Sequence, residues 1–212
     1  MNETILSFDA GDTLVRVEGV GLVSTALCVA QAELGPEHHD YRLERAIAHF
    51  VVKETNLNEA VEAFSSEIGL SDHKAIVRAY RPPSFVVDSR SNDLLSFGKQ
   101  EGFKMILLSN TTPWDCADYD QLGIAEFMDA MFFSFDIGVA KPSEAAFRIV
   151  EKSMNARSGQ IVHVGNDKTM DFDAAQAAGW KAVLSNAQNN GAIVDKRAEE
   201  MIREIRALVD SD

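Results

Sequence analysis

Five short apolar runs, each broken off by a small or polar residue and set among stretches of helical periodicity, constrain this chain more than any other feature. They are TILSF (4–8), KMILLSN (104–110), AMFFS (130–134), IVHVG (161–165) and WKAVL (180–184). Runs that stay apolar on successive residues read as strands buried on both faces, which is the habit of parallel sheets. Parallel neighbours need crossovers, and helical patterns at 91–101, 115–122, 143–153, 171–178 and 194–209 supply them. The expectation is an α/β fold, a doubly wound parallel sheet with helices on both faces.

The first and second strands stand far apart, and the residues between them are helical in pattern. Leu22, Val23, Ala26, Leu27, Ala30 and Leu34 recur at helix spacing up to Gly35-Pro36, and Ile47, Phe50 and Val51 mark a second helix. Val61, Phe64 and Ile68 mark a third, closed by Gly69, and Ser71 is read as the N-cap of a fourth that ends at Pro82-Pro83. This predicts a core made of 1–15 and 87–212 with a helical unit, 16–86, inserted after the first strand. With 212 residues and 46% apolar content, the chain can bury such a core.

In sheets of this kind ligands bind beyond the carboxyl ends of the strands. Those ends carry Asp9, then Ser109-Asn110, then Lys141 just past the third strand, then Gly165-Asn166-Asp167 with Asp171. Other chemistries find less support. A formal charge of −13 repels a phosphate backbone, so nucleic acid is not expected as a partner. Cys28 and Cys116 lack metal-site spacing and read as buried or half-buried thiols, and the five histidines form no ligand pattern. His38 and His39 read as loop residues and His163 as part of a strand. No charge-free run approaches the roughly 20 residues of a membrane span, so the expectation is a cytoplasmic protein, monomer or homodimer, without a membrane partner.

Taken in order, FDAGDTL (8–14), LLSN (107–110), GVAKP (138–142) and HVGNDKTMDFDAAQAAGW (163–180) resemble the four motifs of the haloacid dehalogenase-like hydrolase superfamily, over nearly the whole chain. The resemblance implies a Rossmann-like core, a helical cap in 16–86, a small phosphorylated substrate and Mg²⁺ as cofactor. It implies Asp9 as the nucleophile that becomes an aspartyl-phosphate. Ser109 would donate to a phosphoryl oxygen, and Lys141 would neutralise phosphate and nucleophile. Gly11, Asp12, Thr13 and Asn110 would help bind the substrate, Gly11 to Thr13 through backbone N–H groups. Asp9, the Gly11 carbonyl, Asn166, Asp167 and Asp171 would hold the metal through oxygen.

Two positions depart from that pattern. The family's phosphatases usually carry a second Asp, the general acid and base, two residues after the nucleophile; here Gly11 stands there. Asp12 is the alternative donor, although adjacent side chains of an extended stretch point to opposite sides. Asn166 replaces the first acid of the last motif and brings no charge to the metal. These departures keep other readings open. One is a degenerate protein that binds a phosphorylated ligand without cleaving it. Another is a phosphonatase-like C–P hydrolase, with Lys53 as its Schiff-base candidate. Dehalogenation is disfavoured because its enzymes carry Tyr where this chain has Gly11. Receiver domains use similar residues, but in another order and without the helical insertion.

Overall fold

The computed structural model describes residues 4–35, 41–52, 56–189 and 192–211. The chain runs β1 (Ile5–Phe8), β2 (Arg16–Glu18), α1 (Leu22–Leu34), α2 (Tyr41–Val51), α3 (Leu57–Ile68), α4 (Lys74–Ala79), β3 (Ser84–Val86), α5 (Ser89–Glu101) and β4 (Lys104–Ser109). It continues through β5 (Ala130–Phe133), α6 (Ser134–Ile137), α7 (Glu144–Met154), β6 (Ile161–Gly165), a π-helical turn (Lys168–Asp173), α8 (Ala174–Ala177) and β7 (Lys181–Leu184). A hairpin of β8 (Asn186–Asn189) and β9 (Ala192–Asp195) precedes the last helix, α9 (Ala198–Val209). His38, His39 and Lys53 lie outside the described residues.

Five strands form one parallel sheet in the order β5-β4-β1-β6-β7, the α/β architecture expected from the apolar runs. The chain winds from β1 outward to β4 and β5, then returns to β6 on the other side of β1. Phe8 at the end of β1 is paired with Leu107 on one flank and Val164 on the other, so the winding reverses at β1. That reversal opens a crevice at the carboxyl ends of the middle strands.

Alternate residues of the strands feed two cores, because side chains of a strand point to opposite faces. Leu6, Phe8, Leu107 and Val164 pack with Leu94 and Leu95 of α5 and Met201 of α9. Ile5, Ile106 and Ile161 pack with Phe147, Val150 and Trp180. The inserted helices have their own cluster around Leu22, Phe50, Phe64 and Ile76, with the Phe50 and Phe64 rings 5.0 Å apart. α3 ends as expected at Gly69, at φ 79° in the left-handed region, and the Asn56 side chain caps its first turn, a cap that was not foreseen.

Four local expectations are corrected. Residues 115–122 form turns, not a helix: the Asp115 N–H bonds the Thr112 hydroxyl at 3.0 Å, and the Asp115 carboxylate is drawn away to the first turn of α1. Ser71 does not cap α4; its N–H donates to Glu33 Oε1 at 2.7 Å, and His73 holds the cap position. The terminal helix starts at Ala198 rather than 194, because Ala192–Asp195 pairs with Asn186–Asn189. Cys28 is exposed, whereas Cys116 is half-buried as expected. A short antiparallel ribbon, Arg16 opposite Val86, carries the chain into and out of the helical insertion and was not foreseen. Among the described residues, no helix is long and apolar enough to cross a membrane.

Candidate active site

β1 delivers Asp9 to the crevice. Its N–H donates to the Val164 carbonyl at 2.9 Å, which carries the parallel pairing one residue beyond the strand and fixes where the carboxylate emerges. Lys141 comes from the loop before α7, and its backbone is clamped from the end of β4. Asn110 Oδ1 accepts from the Lys141 N–H at 2.9 Å, while Asn110 Nδ2 donates to the Lys141 carbonyl at 2.7 Å. Held this way, the Lys141 ammonium donates to Asp9 Oδ1 at 2.7 Å and to Asp171 Oδ1 at 2.5 Å. All three side chains are buried.

Asp171 is oriented from two further directions. The Asp167 N–H donates to its Oδ2 at 2.9 Å, and His163 Nε2 lies 3.2 Å from its Oδ1. His163 Nδ1 is 2.9 Å from the Ser7 hydroxyl. A carboxylate only accepts, so Nε2 carries the proton and Nδ1 accepts from Ser7. The sequence reading took His163 for a strand residue and missed this link. The available signal was a polar residue in the middle of the apolar run IVHVG, in register with Ser7 of the run TILSF. Close approach of Asp171 also requires Gly165, because a Cβ there would collide with the Asp171 carboxylate. Gly165→Ala is expected to push Asp171 off Lys141 and to cost about 1–3 kcal/mol, the usual range for overpacking, read as a lowered urea midpoint.

Electrostatics follow from two carboxylates sharing one ammonium. Burial pushes the Asp9 carboxyl above its ordinary value, with Lys141 opposing and Asp171 adding to the rise. Burial acts on Asp171 in the same sense, but His163 and Lys141 outweigh it and hold this carboxyl well below the usual range. For Lys141, burial alone would lower the pKa, and the two carboxylates overcome it and raise it. Burial keeps His163 low, hence neutral. Lys141→Met removes the shared cation and leaves two buried like charges. It is expected to cost about 3–5 kcal/mol at pH 7. Without the ammonium both folded-state carboxyl pKa values rise, so the loss shrinks as pH falls through them; urea unfolding at pH 7 and at pH 5 checks both halves.

The excess negative charge bears on a metal. Asp9 Oδ2 takes no hydrogen bond among the described residues, and neither does the Gly11 carbonyl. By chemistry, these oxygens and the amide of Asn166 are the donor types a hard divalent cation takes, at reduced ligand charge. Among the described residues no group of three or more His, Cys, Asp or Glu side chains is placed to hold one. Asp167 is exposed, and its Oδ1 accepts from the Thr169 and Met170 N–H groups at 2.7 Å each, capping the π-helical turn. Its carboxylate is therefore not brought to Lys141.

A cavity of about 480 Å³ opens before the strand ends, bounded by Ser109 at the end of β4, by Gly11 and Tyr119 from the loops that follow β1 and β4, and by Val17, Val23 and Phe85 from the ribbon and helices. A Cβ built on Gly11 would meet only Val17 Cγ2, at 3.4 Å. Asp12 adopts a left-handed backbone, φ 55°, and its Oδ1 accepts from the Val17 N–H at 3.3 Å. Thr13 is fully buried, with its hydroxyl unpartnered among the described residues. Nearby, Arg16 pairs with Glu18 in solvent, and Trp114 packs against the helical cluster.

Comparison with known proteins identifies the fold and the family. The chain is 26% identical over 121 residues to a ribulose-1,5-bisphosphate 5-phosphatase of Halopiger xanaduensis, covering 53% of this chain and 51% of that protein. It is 25% identical over 109 residues to the rhythmically expressed gene 2 protein of Drosophila melanogaster, covering 50% and 42% respectively. The chain thus spans about half the length of the curated relatives it matches. Among solved structures, a HAD family enzyme of Bacteroides thetaiotaomicron superposes with TM-score 0.63 at 15% identity, covering 90% of this chain and 97% of that one. A 2-haloacid dehalogenase of Pseudomonas syringae superposes with TM-score 0.58 at 17% identity, covering 99% of each chain. At these identities the superpositions show the fold alone. The model of haloacid dehalogenase-like hydrolases matches residues 4–179, and the chain belongs to that family.

Proposed function

We propose that this protein is a magnesium-dependent phosphohydrolase acting on a small phosphorylated metabolite, with residues 16–86 serving as a cap over the site. The observation that carries this reading is the buried Asp9–Lys141–Asp171 cluster at the point where the sheet reverses. A solved relative of the same fold is described as a complex with magnesium and inorganic phosphate, which supports the ligand class.

In this reading Asp9 attacks phosphorus through its free Oδ2. Lys141 neutralises charge that spreads onto the phosphoryl oxygens, acting from a fixed position so that no reorganisation is needed. Ser109, on the cavity wall, donates a hydrogen bond to one of those oxygens. Asn110 works through Lys141, and His163 works through Asp171. Asp9, the Gly11 carbonyl and Asn166 would hold magnesium, which supplies further positive charge to the phosphoryl group when bound. Gly11 offers no proton to the departing group, which favours substrates whose leaving group needs none.

The test is phosphate release from p-nitrophenyl phosphate and acetyl phosphate, with magnesium or with chelator, in the wild type and in Asp9→Asn. Metal-dependent release that Asp9→Asn abolishes supports the proposal; absence of Asp9-dependent release sinks it. Gly11 motivates a second reading, binding of a phosphorylated ligand without cleavage. Thermal stabilisation by phosphate esters without turnover would identify that case.

A further inference from the structure

We infer that the cavity beside Asp9 receives an apolar organic group that carries no charge in the bound ester, so that the substrate is a monophosphate of a neutral apolar phenol or carboxylic acid. The inference rests on the phosphohydrolase reading and narrows it. Phosphate chemistry requires only the strand ends; the rest of the cavity is free to select what the phosphate is attached to.

That remainder is built from Val15, Val17, Val20, Val23, Pro83 and Phe85. Val20 is 54% exposed, an apolar side chain left in water that a bound apolar group would cover. Among the described residues, no Lys, Arg or His lines this cavity, and its two charged residues, Asp12 and Asp115, are both acids. Asp115 is already engaged, accepting from the Leu22 N–H and from the Tyr80 hydroxyl at 2.7 Å each. Lys141 is held between Asp9 and Asp171. The two nearby arginines, Arg16 and Arg90, line a different cavity of about 330 Å³. Arg90 is further tied to the Asp12 and Thr13 carbonyls at 3.5 and 3.4 Å.

A second phosphate or a carboxylate on the leaving group would therefore lose its water and meet like charge. Such a juxtaposition is strongly unfavourable, whereas an aromatic or acyl chain would bury apolar surface. Pockets of roughly 300–1,000 Å³ hold ligands of this size. The uncharged polar groups of the lining are Ser24, Ser109, Asn110, Thr111, Thr112 and Tyr119; the Tyr119 hydroxyl bonds no described residue and is available to an ether or carbonyl oxygen. The named substrate of the Halopiger relative is a bisphosphate, whose second phosphate would meet no cation of the described lining.

The experiment compares kcat/KM for naphthyl phosphate and para-carboxyphenyl phosphate, two aryl esters that differ in leaving-group charge, alongside p-nitrophenyl phosphate and ribulose 1,5-bisphosphate. The expected result is a preference for the naphthyl over the carboxylated ester on the order of a hundredfold, and no preference for the bisphosphate over p-nitrophenyl phosphate. Val20→Lys places an ammonium at the cavity rim and should narrow the ratio about tenfold, the effect of one favourable charge contact. Equal rates for the two aryl esters, or a preference for either anionic compound, overturn the inference while leaving the phosphohydrolase reading intact. Failure of every ester to release phosphate in an Asp9-dependent way overturns both.

Discussion

Asp9→Asn is expected to lower phosphate release by at least about 10⁴-fold, the scale seen when a covalent nucleophile is removed. The carboxamide matches the carboxylate in shape but does not form a stable acyl phosphate. It also relieves the crowding of two carboxylates around one ammonium, since Lys141 keeps Asp171 as its partner at 2.5 Å. Folding stability should therefore stay within about 1 kcal/mol of the wild type, because one buried cation then faces one buried anion. That combination separates loss of chemistry from loss of structure. Acid quenching during turnover should trap a hydroxylamine-sensitive phosphoenzyme in the wild type and none in the variant. An Asp9→Asn protein with unchanged turnover would remove Asp9 from the mechanism, whatever its place in the sheet.

Gly11→Asp should act in the opposite direction. General acid–base catalysis is worth about 10²–10⁴ in rate, and a carboxyl two residues after Asp9 would supply it where the wild type has a hydrogen atom. The site has room, since the first atom of the new side chain would meet only Val17 Cγ2 at 3.4 Å. The gain should appear with alkyl phosphates, whose alkoxides leave poorly, and should nearly vanish with p-nitrophenyl phosphate. The new carboxylate also adds negative charge near Asp9, whose carboxyl is already raised by burial. The acid limb of the pH–rate profile should accordingly move to higher pH, because Asp9 must be ionised to attack. If alkyl and aryl esters respond alike, proton supply does not limit the wild type, and the acid comes from another group.

Physical periodicity made most of the fold readable. The five apolar runs became the five parallel strands, because strands buried on both faces must be apolar on consecutive residues. Helix punctuation was readable at Gly69, where capping is local chemistry. It failed where a polar group found a distant partner: Asp115 serves the first turn of α1, and the Ser71 N–H serves Glu33. The ribbon of β2 and β3 was invisible for a related reason. Its two strands have three residues each, lie far apart in sequence and are defined only by each other.

The same division holds at the site. Asp9, Lys141 and Asp171, which the structure brings together, were legible as residues at or shortly beyond strand ends, because the ends of parallel strands converge by topology. The sequence by itself determined the α/β winding, the helical insertion and the inventory of charged groups near the crevice. Only the tertiary structure decided how those groups divide their bonds. It gave Lys141 to two carboxylates at once, linked Asp171 through His163 to Ser7, spent Asp167 on a helical turn and left the cavity beside Gly11 without a cation among its described lining. The physical reason is range. Periodicity and capping act over a few residues along the chain, whereas buried charges are balanced by whatever the fold brings within about 3 Å, at any separation in sequence.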